Sequence, residues 1–254
     1  MPELAPDFLT TPIAHRGLHD RAAGRIENSA AAVEAAVAEG FGVEIDIQPS
    51  ADGVAMVFHD YTLDRLTDHT GPVRNRTAQE LAAIAIAPSG AGVPTLAQVL
   101  ELVAGRVPLL IEVKDQSGDL GPEAIGPLEE AVASVLRDYR GPLAVMSFNP
   151  ESVAAFASLL PEVPRGLTCD AFDHDEWSAV PAHSRAHLAE IADYTRTGSS
   201  FISCGRTALD RAPVHALKAK GVPVLTWTIR DAEQDTAARE IADNVTFEGY
   251  TPAH

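Results

Sequence analysis

The sequence predicts a single (β/α)8 barrel, the TIM-barrel fold, over residues 1–254. Its length of 254 residues is close to the roughly 250 typical of this fold. Hydrophobic residues make up 46% of the chain, which is enough to form a large core. Short apolar runs alternate with helical patterns along most of the chain, as the repeating unit of a barrel requires. An open doubly wound sheet is the alternative, but no glycine-rich nucleotide-binding motif follows the first apolar run.

The predicted barrel strands are eight apolar runs: Pro12–His15, Gly42–Gln48, Leu109–Val113, Leu143–Phe148, Gly166–Cys169, Phe201–Cys204, Val222–Thr228 and Asn244–Glu248. The predicted helices between them are Ser29–Glu39, Pro127–Tyr139, Pro150–Leu160, His183–Thr195, Ala212–Lys220 and Ala232–Ala242. The first helix is preceded by Asn28 and Ser29 as candidate N-caps and followed by Gly40, and two later helices begin with proline. These start and stop signals support the strand–helix alternation.

One further apolar run, Val54–Phe58, follows the second strand after only a short turn. Parallel neighbours need a crossover of a dozen or more residues, so this run must pair antiparallel with the second strand. Asp52-Gly53 is the favoured sequence for a two-residue hairpin turn. The hairpin therefore begins an insertion after the second barrel strand, at about residues 49–108. This insertion contains two more predicted helices, Thr77–Ile84 and Thr95–Val103.

The two-residue turn also predicts the register of this hairpin and places Asp46 directly across from His59. One face of the hairpin then carries mainly polar residues, namely Glu44, Asp46, Gln48, Val57 and His59. The other face carries apolar residues, namely Val43, Ile45, Ile47, Met56 and Phe58. A one-residue bulge would put Asp46 opposite Phe58 and mix the two faces, so we expect the tight turn.

Charge and composition exclude several classes of partner. The formal net charge of −17 disfavours nucleic acid and anionic membrane surfaces. Residues 81–100 carry no charge, but Pro94 and Gln98 interrupt them, so we expect no stable membrane insertion. Cys169 and Cys204 lack metal-type spacing and are predicted to be buried free thiols, and no signal peptide is visible. These features favour a reducing, cytoplasmic location. The oligomeric state is left open.

Acidic residues occur at the predicted strand ends, where barrel enzymes place their active sites. Glu44 and Asp46 belong to one strand and Glu112 to the next, and three carboxylates at one rim would repel one another without a cation. All-oxygen ligation suits one hard divalent ion, Mg²⁺ or Ca²⁺ (with Mn²⁺ as an alternative), better than zinc. In the motif LLIEVK, Glu112 and Lys114 lie on the same face of the strand, because side chains alternate. If Ile111 and Val113 face the helices, Glu112 and Lys114 point into the barrel.

Basic residues complete this set. The first strand ends in the motif AHRG, which brings His15 and Arg16 to the rim, and His59 ends the hairpin. Two histidines beside a metal could act as general acid and general base. Arg16 and Lys114 would hold an anionic group. A metal, two cations and an acid/base pair are the groups that phosphoryl transfer requires.

In this order the residues resemble the signature of the glycerophosphodiester phosphodiesterases. The motifs HR, EN, E-x-D and HD are here His15-Arg16, Glu27-Asn28, Glu44–Asp46 and His59-Asp60. The resemblance continues through TLDRLT, PTLAQVLELV, IEVK, SFNP and WTI, and so covers nearly the whole chain. It departs in three places. The last strand reads VTFEGY where the family has an Ile-Thr-Asp type sequence, Trp-Thr is followed by Ile229-Arg230 where the family commonly has an Asn nearby, and residues 170–200 match no family motif.

The resemblance implies a barrel with a small insertion after its second strand. It also implies metal-dependent hydrolysis of a small glycerophosphodiester to sn-glycerol 3-phosphate and an alcohol. The implied roles are metal ligation by Glu44, Asp46 and Glu112, acid/base catalysis by His15 and His59, phosphate contact by Arg16 and Lys114, and lining of the substrate pocket by Trp227. We interpret Phe148 as a second residue of the pocket wall.

Two alternatives remain from the sequence. A lysophospholipase-D-like or other phospholipase-C-like phosphodiesterase would need an apolar rim for an acyl chain. A non-catalytic glycerophosphodiester-binding protein would keep Arg16 and Lys114 but could dispense with the histidines. Which histidine is the acid and which is the base is not predicted.

Overall fold

The computed structural model describes residues 2–87 and 90–253, which form a closed parallel barrel with helices between the strands, and the predicted fold is confirmed. The strands are β1 (Ile13–Ala14), β2 (Gly42–Pro49), β3 (Ala55–Val57), β4 (Leu109–Val113), β5 (Leu143–Ser147), β6 (Arg165–Cys169), β7 (Phe201–Gly205), β8 (Val224–Ile229) and β9 (Asn244–Phe247). All but β3 belong to the barrel, which closes because β1 pairs in parallel with both β2 and β9.

Most helices lie close to their predicted positions, but the helix predicted over His183–Thr195 ends at Ala189, and the short helix Asp7–Thr10 was not predicted. The helices are α1 (Asp7–Thr10), α2 (Ala30–Ala38), α3 (Ala78–Ala83), α4 (Leu96–Val103), α5 (Pro127–Leu136), α6 (Pro150–Leu159), α7 (Ala182–Ala189), α8 (Ala212–Lys218) and α9 (Ala232–Ala238). Of the two candidate N-caps before α2, Ser29 is the one whose side chain accepts from a backbone N–H of the first turn. Within the described ranges, no helix reaches the length and hydrophobicity that crossing a bilayer requires.

Two apolar layers build the barrel. The interior is filled by Ile13, Leu110, Ala144, Met146, Phe201 and Leu225, together with Leu4 and Phe8 from the segment before β1. Ile111 and Val113 instead pack in the layer between strands and helices. Since side chains alternate along a strand, Glu112 and Lys114 face the interior at the end of β4, as predicted.

The hairpin between β2 and β3 exists, but its predicted two-residue turn is wrong. Ser50 N donates to Val54 O over 3.0 Å, so the loop contains three residues, 51–53. Gly53 adopts φ +77°, the left-handed conformation that three-residue hairpin loops with a bulge require. The register therefore shifts by one residue from the prediction.

The shifted register corrects the predicted pairing of Asp46. Phe58 N donates to Asp46 O over 2.9 Å, so Phe58 and not His59 lies across from Asp46. The predicted sorting of faces is also wrong, because Val57 packs in the barrel layer while Met56 and Phe58 pack in a separate apolar cluster of the insertion. The insertion covers the outer side of β3, so apolar side chains are buried on both faces and the face pattern does not determine the register.

The prediction of free cysteines is wrong. Cys169 and Cys204 are joined by a disulfide. They end or nearly end two neighbouring parallel strands, and the β6–β7 register places them directly side by side with Cα atoms 4.5 Å apart. The cysteine content therefore no longer supports a reducing compartment.

Candidate active site

A cavity of about 630 Å³ opens at the carboxyl ends of the barrel strands, where active sites of this fold lie. All the predicted site residues line it: His15, Arg16, Glu44, Asp46, His59, Glu112, Lys114, Phe148 and Trp227. They come from the ends of five barrel strands and from the hairpin. The structure therefore brings together every side chain that the sequence assigned to the site.

The floor of the cavity holds an acidic cluster formed by Glu44, Asp46 and Glu112. One carboxylate oxygen from each lies within 4.8 Å of the others, and the three residues are at most 7% exposed. Burial, together with the neighbouring carboxylates, raises the pKa of Glu44 well above its ordinary value. Three buried oxygen donors under mutual repulsion are a donor set that fits a hard divalent cation.

Lys114 balances part of this negative charge. Its Nζ lies 2.8 Å from Asp46 Oδ1 and 2.5 Å from Glu112 Oε1. Burial would lower the pKa of Lys114, but the two carboxylates raise it above its ordinary value. Burial would likewise raise the pKa of Asp46, but Lys114 and the other nearby cationic groups lower it far below its ordinary range. Lys114 therefore stays charged beside an ionised Asp46.

A left-handed turn positions Arg16 over the cluster. Arg16 has φ +54° and Gly17 φ +78°, and a Cβ on Gly17 would lie 2.8 Å from the carbonyl carbon of Ala32. Only glycine allows the chain to pass this close to α2. The turn aims the backbone N–H of Arg16 at Glu44 Oε2, at 2.9 Å.

The Arg16 guanidinium group is only partly engaged. Its Nη1 donates to Glu27 Oε1 over 2.6 Å, and its Nε lies 3.4 Å from Asp46 Oδ2. Among the described residues this buried Nε has no hydrogen-bond partner. A buried donor without a partner is costly, so Arg16 is prepared to donate to an anionic group in the cavity.

His15 is held by a carboxylate from the far end of the chain. Its Nδ1 lies 2.6 Å from Oε2 of Glu248, which follows β9 and also accepts from Arg230 Nε over 2.8 Å. Burial lowers the pKa of His15 to about 4, although the hydrogen bond to Glu248 opposes this shift. The neutral imidazole is therefore the favoured form of His15 at neutral pH.

His59 is held by its own neighbour in sequence. The Nδ1 of His59 lies 2.6 Å from Asp60 Oδ1. Arg65 in turn bridges Asp60 and Glu27: the Arg65 Nε lies 2.6 Å from Asp60 Oδ2, and the Arg65 Nη2 lies 2.7 Å from Glu27 Oε1. Burial would raise the pKa of Asp60, but hydrogen bonds from His59 and Arg65 lower it below its ordinary range. Glu27 also binds Arg16, so one chain of charged groups links His59 to the Arg16 guanidinium group.

The two histidines share one tautomer. A carboxylate can only accept hydrogen bonds, so the hydrogen-bond network assigns the Nδ1 proton to both His15 and His59. The lone pair of each neutral imidazole then resides on Nε2. Each ring can therefore accept a proton at Nε2, or donate one from there once it is protonated.

Asn28 has a role that the sequence interpretation missed. Its backbone adopts φ +58°, its Nδ2 donates to Asp46 Oδ2 over 2.8 Å, and its Oδ1 accepts from Asp46 N. This double contact fixes the Asp46 carboxylate in one orientation. The cap beside it is supplied by Ser29, which leaves Asn28 free for this contact.

An aromatic wall of Phe148, Trp177 and Trp227 borders one side of the cavity, and Phe172 packs against Phe148 and Trp177 without lining it. The Phe148 ring centroid lies 4.8 Å from that of Trp177 and 5.6 Å from that of Trp227. Trp177 belongs to a short 3₁₀ helix, Asp175–Trp177, within the segment that matches no family motif, and it also lines the cavity. Its Nε1 donates to Asp170 Oδ2 over 3.1 Å, which ties this segment to the end of β6.

Sequence reasoning also did not assign Glu248, which contacts His15, or Trp177, which lines the cavity. A signal for Glu248 exists, because a carboxylate placed directly after the last barrel strand must reach the same rim as His15. No comparable signal marks Trp177, since an isolated tryptophan in a loop is compatible with many positions.

The chain is similar in sequence to proteins of one known family. Residues 15–244 match the sequence profile of the Glycerophosphoryl diester phosphodiesterase family. Glycerophosphodiester phosphodiesterase 1 of Bos taurus is 30% identical over 265 residues, covering 92% of this chain and 76% of its own. A glycerophosphodiester phosphodiesterase of Bacillus subtilis is 27% identical, covering 90% of this chain and 79% of its own.

Solved structures agree as well. A phosphodiesterase from Oleispira antarctica, determined in complex with the product sn-glycerol-3-phosphate, superposes with a TM-score of 0.77 at 25% identity, covering 96% of this chain and 94% of that one. The glycerophosphodiester phosphodiesterase of Thermotoga maritima has a TM-score of 0.69 at 21% identity, covering 93% and 94%, which supports the fold alone. The chain therefore belongs to the glycerophosphoryl diester phosphodiesterase family and is an enzyme of that class.

Proposed function

We propose that this enzyme hydrolyses a small glycerophosphodiester, such as glycerophosphocholine, to sn-glycerol 3-phosphate and an alcohol. The reaction would depend on one divalent cation and on general acid/base catalysis by His15 and His59. The observation that carries this proposal is the arrangement of two histidine–carboxylate pairs around a buried acidic cluster in one cavity. The product bound to the Oleispira antarctica relative supports the same substrate class.

The acidic cluster is the part of the site suited to the cation. Glu44, Asp46 and Glu112 would hold Mg²⁺, Ca²⁺ or Mn²⁺. The pKa of Glu44 is raised first by burial and then by the neighbouring carboxylates, whose repulsion a cation would relieve. When bound, the ion supplies Lewis-acid polarisation of a phosphoryl oxygen. Asn28 keeps Asp46 in place whether or not a substrate is present.

Arg16 and Lys114 would bind the phosphate. The free Nε of Arg16 is a ready donor to a phosphoryl oxygen, and Lys114 adds a positive charge beside it. Both cations lie among carboxylates that hold their side chains in place. Substrate binding therefore costs little side-chain conformational entropy. Phe148 and Trp227 would border the organic part of the substrate.

The acid/base pair would divide the proton transfers. His15 is neutral at neutral pH because it is buried, so we assign it the role of base, with Nε2 accepting the proton of the nucleophile. His59 would then protonate the leaving alkoxide of the alcohol. The nucleophile is either water or the glycerol 2-hydroxyl. The second route would release a cyclic phosphate, which ³¹P NMR would detect and ¹⁸O-water labelling would trace.

The test combines metal removal with product analysis. The enzyme is stripped with EDTA, and Mg²⁺, Ca²⁺ or Mn²⁺ is added back while sn-glycerol 3-phosphate and choline are measured separately from glycerophosphocholine. We expect no turnover without metal and recovery with at least one ion. Glu44→Gln should raise the half-activating metal concentration at least about tenfold, whereas Glu34→Gln, at an exposed position of α2, should not. Full turnover by metal-free enzyme would contradict the metal requirement. Release of phosphocholine would show that the enzyme cleaves the ester bond to glycerol, and not the proposed bond to choline.

The aromatic wall gives one reason to consider a second candidate function. Phe148, Trp177 and Trp227 present apolar surface to the cavity, which a lysolipid acyl chain could contact. Assaying lysophosphatidylcholine beside glycerophosphocholine separates the two candidates. A higher kcat/KM for the lysolipid would favour the lysophospholipase-D-like alternative.

A further inference from the structure

A second group of metal-binding side chains lies beside the acidic cluster. His15, His19 and Glu248 each bring one donor atom within 4.8 Å of the others. Glu248 Oε2 faces both rings, 2.6 Å from His15 Nδ1 and 3.4 Å from His19 Nε2. The proposed reaction uses His15 and Glu248 but leaves His19 without a function.

Hydrogen bonds hold the backbone around His19, but its ring lacks a hydrogen-bond partner among the described residues. Its Nε2 is buried and, within the part of the chain that the structure describes, forms no hydrogen bond. The turn that carries it is anchored on both sides: His19 N donates to Gly17 O over 2.8 Å, and Leu18 N donates to Ala32 O over 2.9 Å. A buried imidazole nitrogen without a partner is uncommon, and here it points at a carboxylate.

The chemistry of this donor set differs from that of the acidic cluster. Two imidazoles and one carboxylate are the ligands of three-ligand zinc sites, which leave a fourth position for water. With bonds of about 2.0–2.1 Å, tetrahedral ligands lie about 3.3 Å apart, so the His19–Glu248 separation of 3.4 Å already fits. The His15–Glu248 pair would open by less than about 1 Å as the proton between them is replaced. Oε1 of Glu248 remains on Arg230, so the carboxylate would bind through one oxygen.

We propose that His15, His19 and Glu248 form an inhibitory site for Zn²⁺ or a similar transition-metal ion, distinct from the acidic cluster. The His15 ring proton leaves Nδ1 and Nε2 takes up a proton, which frees the Nδ1 lone pair to bind the ion. With Nε2 protonated, His15 has no lone pair with which to accept a proton from the nucleophile. The inhibition therefore rests on the proposed role of His15 as base, whereas metal binding at these side chains does not.

Binding is tested with Co²⁺ as a spectroscopic probe, on the full chain with Mg²⁺ in excess. A His₂Glu site in tetrahedral geometry gives intense visible absorption, which octahedral oxygen ligation lacks. We expect one equivalent of Co²⁺ to produce this spectrum in the wild type and in Glu44→Gln, and the spectrum to be lost in His19→Ala and His19→Gln. Its persistence in both His19 variants, or its loss in Glu44→Gln alone, would overturn the assignment. This measurement needs no turnover, so it remains informative even if the proposed reaction is wrong.

Inhibition is tested by titrating Zn²⁺ into the assay at saturating Mg²⁺. We expect His19→Ala to raise the half-inhibitory Zn²⁺ concentration at least tenfold while kcat/KM without zinc stays within twofold of wild type. His69→Ala, at an exposed histidine that contacts Asp68, should change neither value. An unchanged half-inhibitory concentration in His19→Ala would place the effect at the acidic cluster and overturn the proposal. Activation by Zn²⁺, or a large loss of basal activity in His19→Ala, would also overturn it.

Discussion

The pairs His15–Glu248 and His59–Asp60 have the same Nδ1-to-carboxylate distance, 2.6 Å, but they are built in different ways. The first joins residues 233 positions apart and its histidine side chain is 12% exposed, whereas the second joins sequence neighbours and its histidine is 31% exposed. The first depends on closure of the barrel, because its members follow β1 and β9. The second depends only on the end of the hairpin. Equal hydrogen-bond geometry thus arises once from tertiary structure and once from local sequence.

The charged groups around the two pairs also differ. Asp60 is part of a chain of ion pairs through Arg65 and Glu27 to Arg16, so His59 is coupled to the Arg16 guanidinium group. The carboxylate of the buried pair instead contacts Arg230 at the rim and, at 3.4 Å, the His19 ring. We expect the buried pair to be sensitive to the loss of one hydrogen bond, and the exposed pair to be sensitive to changes in its ion-pair network.

The largest expected effect comes from removing either histidine. His15→Ala and His59→Ala should each lower kcat about 10²–10⁴-fold, since each removes one of the two proposed proton-transfer groups. Steady-state kinetics at saturating metal provide the measurement, with His215→Ala, an exposed histidine beside Asp210, as the unaffected control. If one variant keeps wild-type kcat, that ring is not catalytic and the two pairs are not equivalent.

The next largest effect should distinguish the two carboxylates. Glu248→Gln is expected to lower kcat about 10²-fold and Asp60→Asn about tenfold, because a hydrogen bond is stronger in a buried, low-dielectric environment than beside solvent. Each variant keeps an acceptor oxygen but loses the charge, and kcat at neutral pH is the readout. An equal loss of kcat in both variants would show that burial does not make the His15–Glu248 hydrogen bond more important for turnover than the His59–Asp60 one.

The smallest of these effects concerns stability rather than turnover. Hydrogen bonds from Arg65 and the charge of Arg16 lower the pKa of Glu27 to about 2, against the opposing effect of burial. Its ordinary value is 4.5, so the folded state is favoured by an ionised Glu27; this contribution is complete above pH 4.5 and is lost as the pH falls towards 2. Glu27→Gln should therefore reduce the free energy of unfolding by about 2–3 kcal/mol at pH 7.

Urea denaturation of wild type and Glu27→Gln at several pH values between 7 and 2.5 measures this contribution. The difference between the two proteins should be constant above about pH 5 and shrink below it. Glu34→Gln, on the exposed side of α2, should show no such pH-dependent difference. A difference that stays constant down to pH 2.5 would mean that Glu27 is not stabilised as a carboxylate.

The barrel itself was predictable because strand length, helix caps and alternation all agree along the chain. The acidic cluster followed as well, since the ends of parallel strands meet at one rim whatever the details of the turns. The register of His59 could not be predicted in the same way. It depended on a pattern of polar and apolar faces, and a second small core in the insertion buries Met56 and Phe58 regardless of that pattern.

Long-range contacts account for the other errors. The pairing of Cys169 with Cys204 requires the β6–β7 register, which no local pattern encodes. The contact between Glu248 and His15 requires that β9 pair with β1. This contact can be predicted from the sequence only if a closed barrel is assumed first. The position of Trp177 depends on a loop anchored by one side-chain hydrogen bond to Asp170, for which the sequence contains no periodic signal.

Closure of the barrel by β1 and β9 has a consequence for biosynthesis. His15 leaves the ribosome long before Glu248, which lies 233 positions later in the chain. Until β9 has been made, β1 lacks its second partner strand, and His15 lacks the carboxylate that sets its tautomer. The acidic cluster of β2 and β4 can assemble earlier, because both strands precede β9. We therefore expect the acidic cluster to form before the His15–Glu248 pair during translation.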